Sequence, residues 1–308
     1  MRFVAAIAIV WLHTPESPAL APYSKVSVFA VPFFTLVAVM LVVRSAARDP
    51  DRPFAAYALS RFHRIYVPFL VWTVIYFGFR NLKHLTLSNA PFLQPSPAML
   101  IGGSAHHLWF LPFIFLTCLV VFLLARPMVR TQPRAKVLAA MLLVLGTACG
   151  CVSLSLPANL YLLAQAWRAL PSVLWGMAIG LVYTPKDRGG SWMAIGAAVY
   201  LVSTALFFRW SLPLLENLSG LGILLIALAI PASSAIAGRL ASMGSLAFGI
   251  YLCHVMFIEG LQAVASRLGH RQELGLDLLV FCAAAAGSTL LTWLASKTVW
   301  GRWLMAVM

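Results

Sequence analysis

Residues 107–125 read HLWFLPFIFLTCLVVFLLA and contain no Asp, Glu, Lys or Arg. A basic residue, Arg126, closes the run. Crossing the hydrocarbon core of a bilayer as an α-helix takes about 20 predominantly apolar residues. A helix also satisfies its own backbone hydrogen bonds, which lipid cannot do. This stretch therefore predicts a membrane-spanning helix.

Comparable apolar runs occur along the whole chain. Phe3–Leu12 is the shortest run, and a helix there must include residues of the following segment in order to cross the membrane. The other runs are Val26–Val43, Tyr66–Phe79, Val137–Leu156, Asn159–Tyr183, Trp192–Phe208, Leu218–Ile236, Ser245–Ala265 and Leu276–Val299. The pattern predicts an all-α integral membrane protein with about ten transmembrane helices. No long polar segment separates the runs, so we predict a single membrane domain over residues 1–308.

Composition indicates that lipid is the main solvent of this chain. Hydrophobic residues make up 62% of it and charged residues only 10%, whereas soluble domains are about a quarter charged. A net charge of +14 would suggest nucleic-acid binding in a soluble protein. In membrane proteins, however, basic residues concentrate in cytoplasmic loops. We therefore predict the lipid bilayer, and no nucleic acid, as a partner.

The basic residues also predict an orientation. If the N-terminus is cytoplasmic and all ten runs cross, about two thirds of the 22 Lys and Arg residues lie on the cytoplasmic side. Both termini are then cytoplasmic, and we expect a multi-pass protein of the bacterial inner (plasma) membrane.

The five cysteines fall in apolar runs without the spacing of a metal site, so no metal ligands are predicted.

Arg2 and His13 lie at the two ends of the first apolar run, and ionisable groups in a membrane are functional candidates. They are eleven residues apart, which on a helix places both side chains on nearly the same face, roughly 16 Å apart along the axis. A cation at the membrane surface could bind phosphate, and an imidazole deeper in could act as a base. The alternative is a flanking Arg with a packing His. Signal-peptide cleavage after Ala21 would remove His13, but Pro22 at the next position disfavours it.

Five short motifs, in order along the chain, resemble the acyltransferase-3 family of membrane acyltransferases. The first is the Arg-x10-His spacing in RFVAAIAIVWLHT, residues 2–14. The next two are VPFF at residues 31–34 and RFHRIYVP at residues 61–68. HLWFL at residues 107–111 is similar to a segment of the sugar O-acetyltransferase members, and LAFGIYLCH at residues 246–254 is similar to a late family motif.

This resemblance implies an O-acyltransferase that takes an acyl group, usually acetyl, from acyl-CoA on the cytoplasmic side. The acceptor would be a hydroxyl of an envelope or exported glycan. His13 would be the essential histidine, and Arg2, Arg61 and Arg64 would bind the donor. Arginine suits this role because guanidinium groups bind phosphate in a bidentate way. Acyl-CoA would be a co-substrate, with no permanently bound cofactor. For Arg61 and Arg64, three residues apart and so on one helix face, the alternative is anchoring to anionic headgroups.

Four further residues are candidates for the site. His254 follows Ser245 by nine residues on a helix predicted to run outward, about 14 Å deep, which is close to the depth expected for His13. It is a second catalytic candidate or a core histidine. His107, Trp109 and Arg168 lie at predicted outer ends of helices and are candidates for binding the acceptor. Trp109 could instead be an interfacial aromatic residue, and Arg168 could extend to the membrane surface.

Two other functions remain open from the sequence. A transporter or flippase for a lipid-linked or anionic sugar would also need many spans and buried charges, but no internal repeat typical of transporters is present. An inactive relative with a structural role is the second alternative.

Overall fold

The structure is a computed structural model that describes residues 1–14, 17–87, 92–130, 134–152, 160–183, 189–231, 233–269 and 273–304. Within these ranges the chain is helical and contains no β-strand. The longer helices are α1 (Arg2–His13), α2 (Ala30–Arg48), α4 (Val67–Leu87), α6 (Phe110–Arg130), α7 (Ala135–Gly150), α8 (Tyr161–Val182), α9 (Gly189–Trp210), α10 (Pro213–Ala229), α12 (Ala247–Arg267) and α13 (Leu274–Ala295). Shorter helices are α3 (Phe54–Arg61), α5 (Met99–Gly102), α11 (Ala235–Gly244) and α14 (Val299–Leu304).

Each apolar run predicted from the sequence overlaps one of the longer helices. In the described part of the chain, six helical segments are long and apolar enough to cross a membrane. They are Ala21–Arg48, Phe54–Thr86, His106–Arg130, Gly190–Trp210, Ala247–Arg267 and Leu274–Ala295. Helices α1, α7 and α10 are apolar but shorter. The all-helical, multi-pass membrane fold is thus confirmed, while the count of ten spans and the orientation of the termini stay predictions.

Helices of this chain group into two compact units. Unit 1 comprises Met1, Val28–Arg61 and Phe113–Ala241, and unit 2 comprises Arg2–Ser27, Phe62–Pro112 and Ser242–Met308. Each unit is assembled from segments that are distant in the sequence, so neither is a contiguous domain. The single domain over residues 1–308 stays a prediction.

Unit 1 depends on close approach between helices α9 and α10. A Cβ added to Gly222 would lie 2.6 Å from the backbone nitrogen of Tyr200, and one added to Gly196 would lie 2.7 Å from the carbonyl oxygen of Gly222. Glycine is therefore needed at both positions for the backbones to touch. Small residues are the usual means of packing helices in lipid, where burial of apolar surface between helices gives little driving force.

Unit 2 packs α12 against α1, α4 and α13. The hydroxyl of Tyr76 on α4 donates to the carbonyl oxygen of Leu252 at 3.0 Å and accepts from the backbone N–H of Met256 at 3.1 Å. The chain after α1 is fixed to α13, because Asp277 accepts hydrogen bonds from the backbone N–H of Ser17 at 3.0 Å and from its hydroxyl at 2.5 Å. These contacts place the end of α1 beside the middle of α12.

A short 3₁₀ helix, His106–Trp109, completes this arrangement. It follows Gly103, whose φ of +75° is a backbone conformation that favours glycine. A Cβ at this position would also lie 2.7 Å from the Cβ of Leu108. The turn at Gly103 therefore determines where the adjacent residues His106 and His107 lie within unit 2.

Candidate active site

Four histidines from three separate segments meet in unit 2. His13 ends α1, His106 and His107 lie in the 3₁₀ helix, and His254 is in the middle of α12. The ring centroid of His13 is 4.8 Å from that of His106, 5.4 Å from that of His254 and 6.4 Å from that of His107. His107 and His254 are 5.0 Å apart. We call these residues the histidine cluster.

His13 and His106 are joined by a hydrogen bond. His106 Nε2 and His13 Nδ1 are 3.1 Å apart, and one of the two nitrogens must donate while the other accepts. When His13 donates through Nδ1, its Nε2 carries a lone pair that can take a proton. His106 is exposed and His13 half-buried, so the pair can be reached from outside the packed core. An imidazole whose second nitrogen is fixed by a partner is the usual arrangement of a general base.

The tautomer of His254 follows from its backbone contacts. Its Nδ1 lies 2.8 Å from the carbonyl oxygen of Tyr251 and 3.2 Å from that of Ile250. Carbonyl oxygens can only accept, so Nδ1 carries the hydrogen and the lone pair of the neutral ring is on Nε2. His254 is fully buried, and among the described residues Nε2 has no hydrogen-bond partner. His254 Nε2 is thus a buried nitrogen whose lone pair has no partner among the described residues, and its ring lies beside that of His13.

His107 is also buried inside the cluster rather than at a surface. Its side chain is 2% exposed, and neither ring nitrogen has a hydrogen-bond partner within the described ranges. Its carbonyl oxygen accepts a hydrogen bond from the hydroxyl of Tyr251, and its ring packs edge-on against Tyr76. Unsatisfied buried polar atoms are rare and need an explanation. The two ring nitrogens of His107 are therefore candidates for contact with a polar substrate group.

An ion-pair group fixes the segment that carries His106 and His107. Arg80 on α4 pairs with Glu259 on α12, and its Nη1 donates to the carbonyl oxygen of Ser104 at 2.7 Å. The hydroxyl of Ser104 donates to the carbonyl oxygen of Thr73 at 2.5 Å. Lys83 also pairs with Glu259, at 3.1 Å. Arg80 therefore ties two helices to the residue that lies two positions before His106.

The chain matches a known family over almost its full length. The family model described as an acyltransferase domain, acyltransferase-3, matches residues 1–297. The chain belongs to the acyltransferase-3 family. No curated protein and no solved structure matches it. The resemblance inferred from five short motifs is thereby confirmed, and the protein is a multi-pass membrane acyltransferase.

The proposed donor-binding arginines of this acyltransferase are divided between the two units. Arg2 begins α1 in unit 2, at the opposite end of one continuous helix from His13. Arg64 also belongs to unit 2 and is exposed, whereas Arg61 ends α3 in unit 1 and is half-buried. A π-helical turn, Phe62–Tyr66, begins directly after Arg61. The α-helical spacing that predicted one shared face for Arg61 and Arg64 therefore does not apply between them.

Two of the residues predicted to bind the acceptor lie outside the histidine cluster. Arg168, in unit 1, pairs with Glu216 at 2.6 Å, and its carbonyl oxygen accepts from the side-chain amide of Asn217 at 2.8 Å. These contacts fix α8 to α10 and account for Arg168 structurally. Trp109 closes the 3₁₀ helix and packs edge-on against Phe110. A role in acceptor binding stays a prediction for both residues.

Sequence reasoning missed His106, Arg80 and the use of Glu259. His106 is adjacent in the sequence to His107, which was a predicted site residue. This adjacency was the available signal for His106. Arg80 and Glu259 are 179 residues apart, so no local pattern links them. Within the described part of the chain, no three His, Cys, Asp or Glu residues have the geometry to hold a metal ion.

A substitution of Arg80 tests whether this group positions the cluster. In Arg80→Met the bond to Ser104 is lost, and the segment with His106 is free to shift. Because misplacement by about 1 Å can cost up to about 10²-fold in rate, we expect kcat for acyl transfer to fall about 10- to 100-fold, with little change in KM for the donor. Steady-state kinetics in membranes with matched protein levels measure both.

Lys83→Met is the matched control for Arg80→Met. Lys83 contacts the same carboxylate of Glu259 but has no bond to Ser104 among the described contacts. We expect its kcat to stay within about twofold of the wild type, since one remaining partner still holds Glu259. Equal losses in the two variants would instead assign the effect to Glu259 and its charge.

Proposed function

We propose that this acyltransferase moves an acyl group, most simply acetyl, from acyl-CoA to a hydroxyl of an envelope or exported glycan at the bacterial plasma membrane. The observation that supports this is the pair of histidines His13 and His254, whose rings are 5.4 Å apart. One has its second nitrogen bonded to His106, and the other has a buried Nε2 lone pair. Two neutral imidazoles at this separation suit an acceptor that has one hydroxyl at each ring, with the hydroxyl at His13 losing its proton.

The reaction is an acyl transfer from sulfur to oxygen. His13 accepts the proton of the acceptor hydroxyl through Nε2, while its Nδ1–H stays bonded to His106. The hydroxyl oxygen attacks the thioester carbonyl and forms a tetrahedral intermediate. The carbon–sulfur bond then breaks, the thiolate takes the proton from the imidazolium, and the products are the acylated glycan and free coenzyme A.

The remaining residues have supporting roles in this proposal. His254 accepts, through its Nε2 lone pair, a hydrogen bond from a second hydroxyl of the acceptor sugar and so keeps the reacting hydroxyl directed toward the thioester. The ring of His107 lies 5.0 Å from that of His254, and its two ring nitrogens have no partner among the described residues. Arg2, Arg61 and Arg64 contribute positive charge for the phosphates of the donor. A transient acyl-histidine at His13 is an alternative course of the same reaction.

Acyl transfer can be tested in inverted membrane vesicles that contain the protein. Radiolabelled acetyl-CoA is added on the exposed cytoplasmic face, and label is counted in the glycan and lipid fractions. We expect covalent, base-labile label that depends on the protein, because esters are cleaved by alkali. Vesicles without the protein are the control. Accumulation of an unmodified sugar inside the vesicles, without covalent label, would favour the transporter alternative instead.

A further inference from the structure

Unit 1 contains an aromatic stack surrounded by arginines. Tyr57 on α3 and Phe122 on α6 lie face to face, with ring centroids 3.9 Å apart and planes 6° from parallel. The guanidinium carbons of Arg52 and Arg61 are 5.5 Å and 5.1 Å from the centre of the Tyr57 ring. The guanidinium carbon of Arg126 is 5.8 Å from the centre of the Phe122 ring. We call these three residues the arginine cluster.

No carboxylate in the described part of the chain pairs with the arginine cluster. The neighbouring acid, Asp51, is paired with Arg130 at 2.8 Å. Arg126 donates through Nε to the carbonyl oxygen of Pro50 at 3.2 Å, which is a neutral partner. Nε of Arg61 is buried and has no hydrogen-bond partner among the described residues. Three guanidinium groups around one pair of rings therefore lack a negative counterpart in unit 1.

The arrangement differs from that of arginines that simply face lipid headgroups. Arg48 and Arg130 are exposed, as expected for residues that meet the membrane surface. Arg52, Arg61 and Arg126 are half-buried instead. A guanidinium held over a ring by a cation–π contact keeps its planar edge, with its N–H donors, free. Such an edge matches the oxygens of a phosphate group.

We propose that Arg52, Arg61 and Arg126, held by the Tyr57–Phe122 stack, form a phosphate-binding site that takes the phosphate groups at the nucleotide end of coenzyme A. This rests on the proposed function, since it assigns a place to the donor of that reaction. Two of the three arginines, Arg52 and Arg126, lie outside the motifs that resemble the family. The lack of a carboxylate partner is explained if a phosphate of the ligand supplies the negative charge.

Binding of coenzyme A tests the site without requiring turnover. The full chain is placed in nanodiscs of neutral phosphatidylcholine, and the affinity for coenzyme A is measured by calorimetry. We expect Arg52→Gln and Arg126→Gln each to weaken binding about tenfold, and both to leave the weak binding of pantetheine unchanged. Arg52→Lys and Arg126→Lys, which keep the charge but lose the bidentate edge, are expected to weaken binding less.

Arg130→Gln is the matched control, because Arg130 lies one turn after Arg126 on α6 and is already paired. It should bind coenzyme A within about twofold of the wild type. Wild-type affinity in both Arg52→Gln and Arg126→Gln would overturn the proposal. If the wild type itself does not bind coenzyme A, the donor in the proposed function is wrong as well, and the two failures are thus distinguishable.

The phosphate of a lipid headgroup could bind the arginine cluster in the same way as a phosphate of coenzyme A. A separate measurement distinguishes the two ligands. Native mass spectrometry with phosphatidylglycerol in the nanodiscs reports bound anionic lipid for each variant. Loss of one bound lipid in Arg52→Gln and Arg126→Gln, with coenzyme A binding unchanged, would assign the cluster to a headgroup and overturn the assignment to the nucleotide. Loss of coenzyme A binding with unchanged bound lipid supports it.

Discussion

His13→Ala abolishes acyl transfer while the protein still accumulates in the membrane. The substitution removes the nitrogen proposed to take the proton of the acceptor hydroxyl and breaks the hydrogen bond to His106. General-base catalysis contributes about 10²- to 10⁴-fold to a rate, and we expect a loss of this size. The measurement is transfer of label from acetyl-CoA in inverted vesicles, normalised to the amount of folded protein. Because His13 is half-buried at the end of α1, the fold tolerates a smaller side chain there.

His63→Ala is the control for loss of any imidazole. His63 lies in the π-helical turn of the same unit, is exposed and packs against Phe62 rather than against the histidine cluster. We expect its transfer rate to stay within about twofold of the wild type. A His13→Ala variant that transfers label at the wild-type rate would exclude His13 as the base. Equal losses in both variants would point to a general effect on the membrane protein.

The sequence alone predicted the helices well, because each depends on local composition. A run of apolar residues must satisfy its own backbone hydrogen bonds in lipid, whatever it contacts, and so every predicted run overlaps a helix. The equal depths in the bilayer inferred for His13 and His254 stay a prediction. They rest on helix rise and on the position of the membrane surface, and the structure brings the two rings together.

Contacts between distant segments could not be predicted in this way. His106 reaches His13 only because Gly103 turns the chain and Arg80 holds Ser104. Neither effect has a periodic signal in the sequence. The π-helical turn after Arg61 likewise changes the number of residues per helical turn, and composition does not reveal such a change. The arginine cluster depends on the stacking of Tyr57 on Phe122, which are 65 positions apart in the sequence.

The role of His254 can be separated from its packing by a pair of substitutions. In His254→Asn the side-chain amide nitrogen takes the place of Nδ1 and can still donate to the carbonyl oxygen of Tyr251. The Nε2 lone pair is removed. We therefore expect His254→Asn to fold normally and to lose about 10²-fold in transfer rate, because an acceptor misplaced by about 1 Å can cost up to about 10²-fold. Thermal unfolding followed by intrinsic fluorescence and the label assay measure the two properties.

His254→Ala provides the comparison that decides between chemistry and structure. It loses both nitrogens and leaves a cavity in a fully buried position, so we expect it to be less stable by about 2–4 kcal/mol. If His254 serves only to pack and to bond Tyr251, then His254→Asn restores most of the activity that His254→Ala loses. If the Nε2 lone pair binds and directs the acceptor, then His254→Asn restores stability alone and stays as inactive as His254→Ala. Since the two variants differ at the Nδ1 position and share the loss of Nε2, recovery of activity in His254→Asn would exclude the catalytic role.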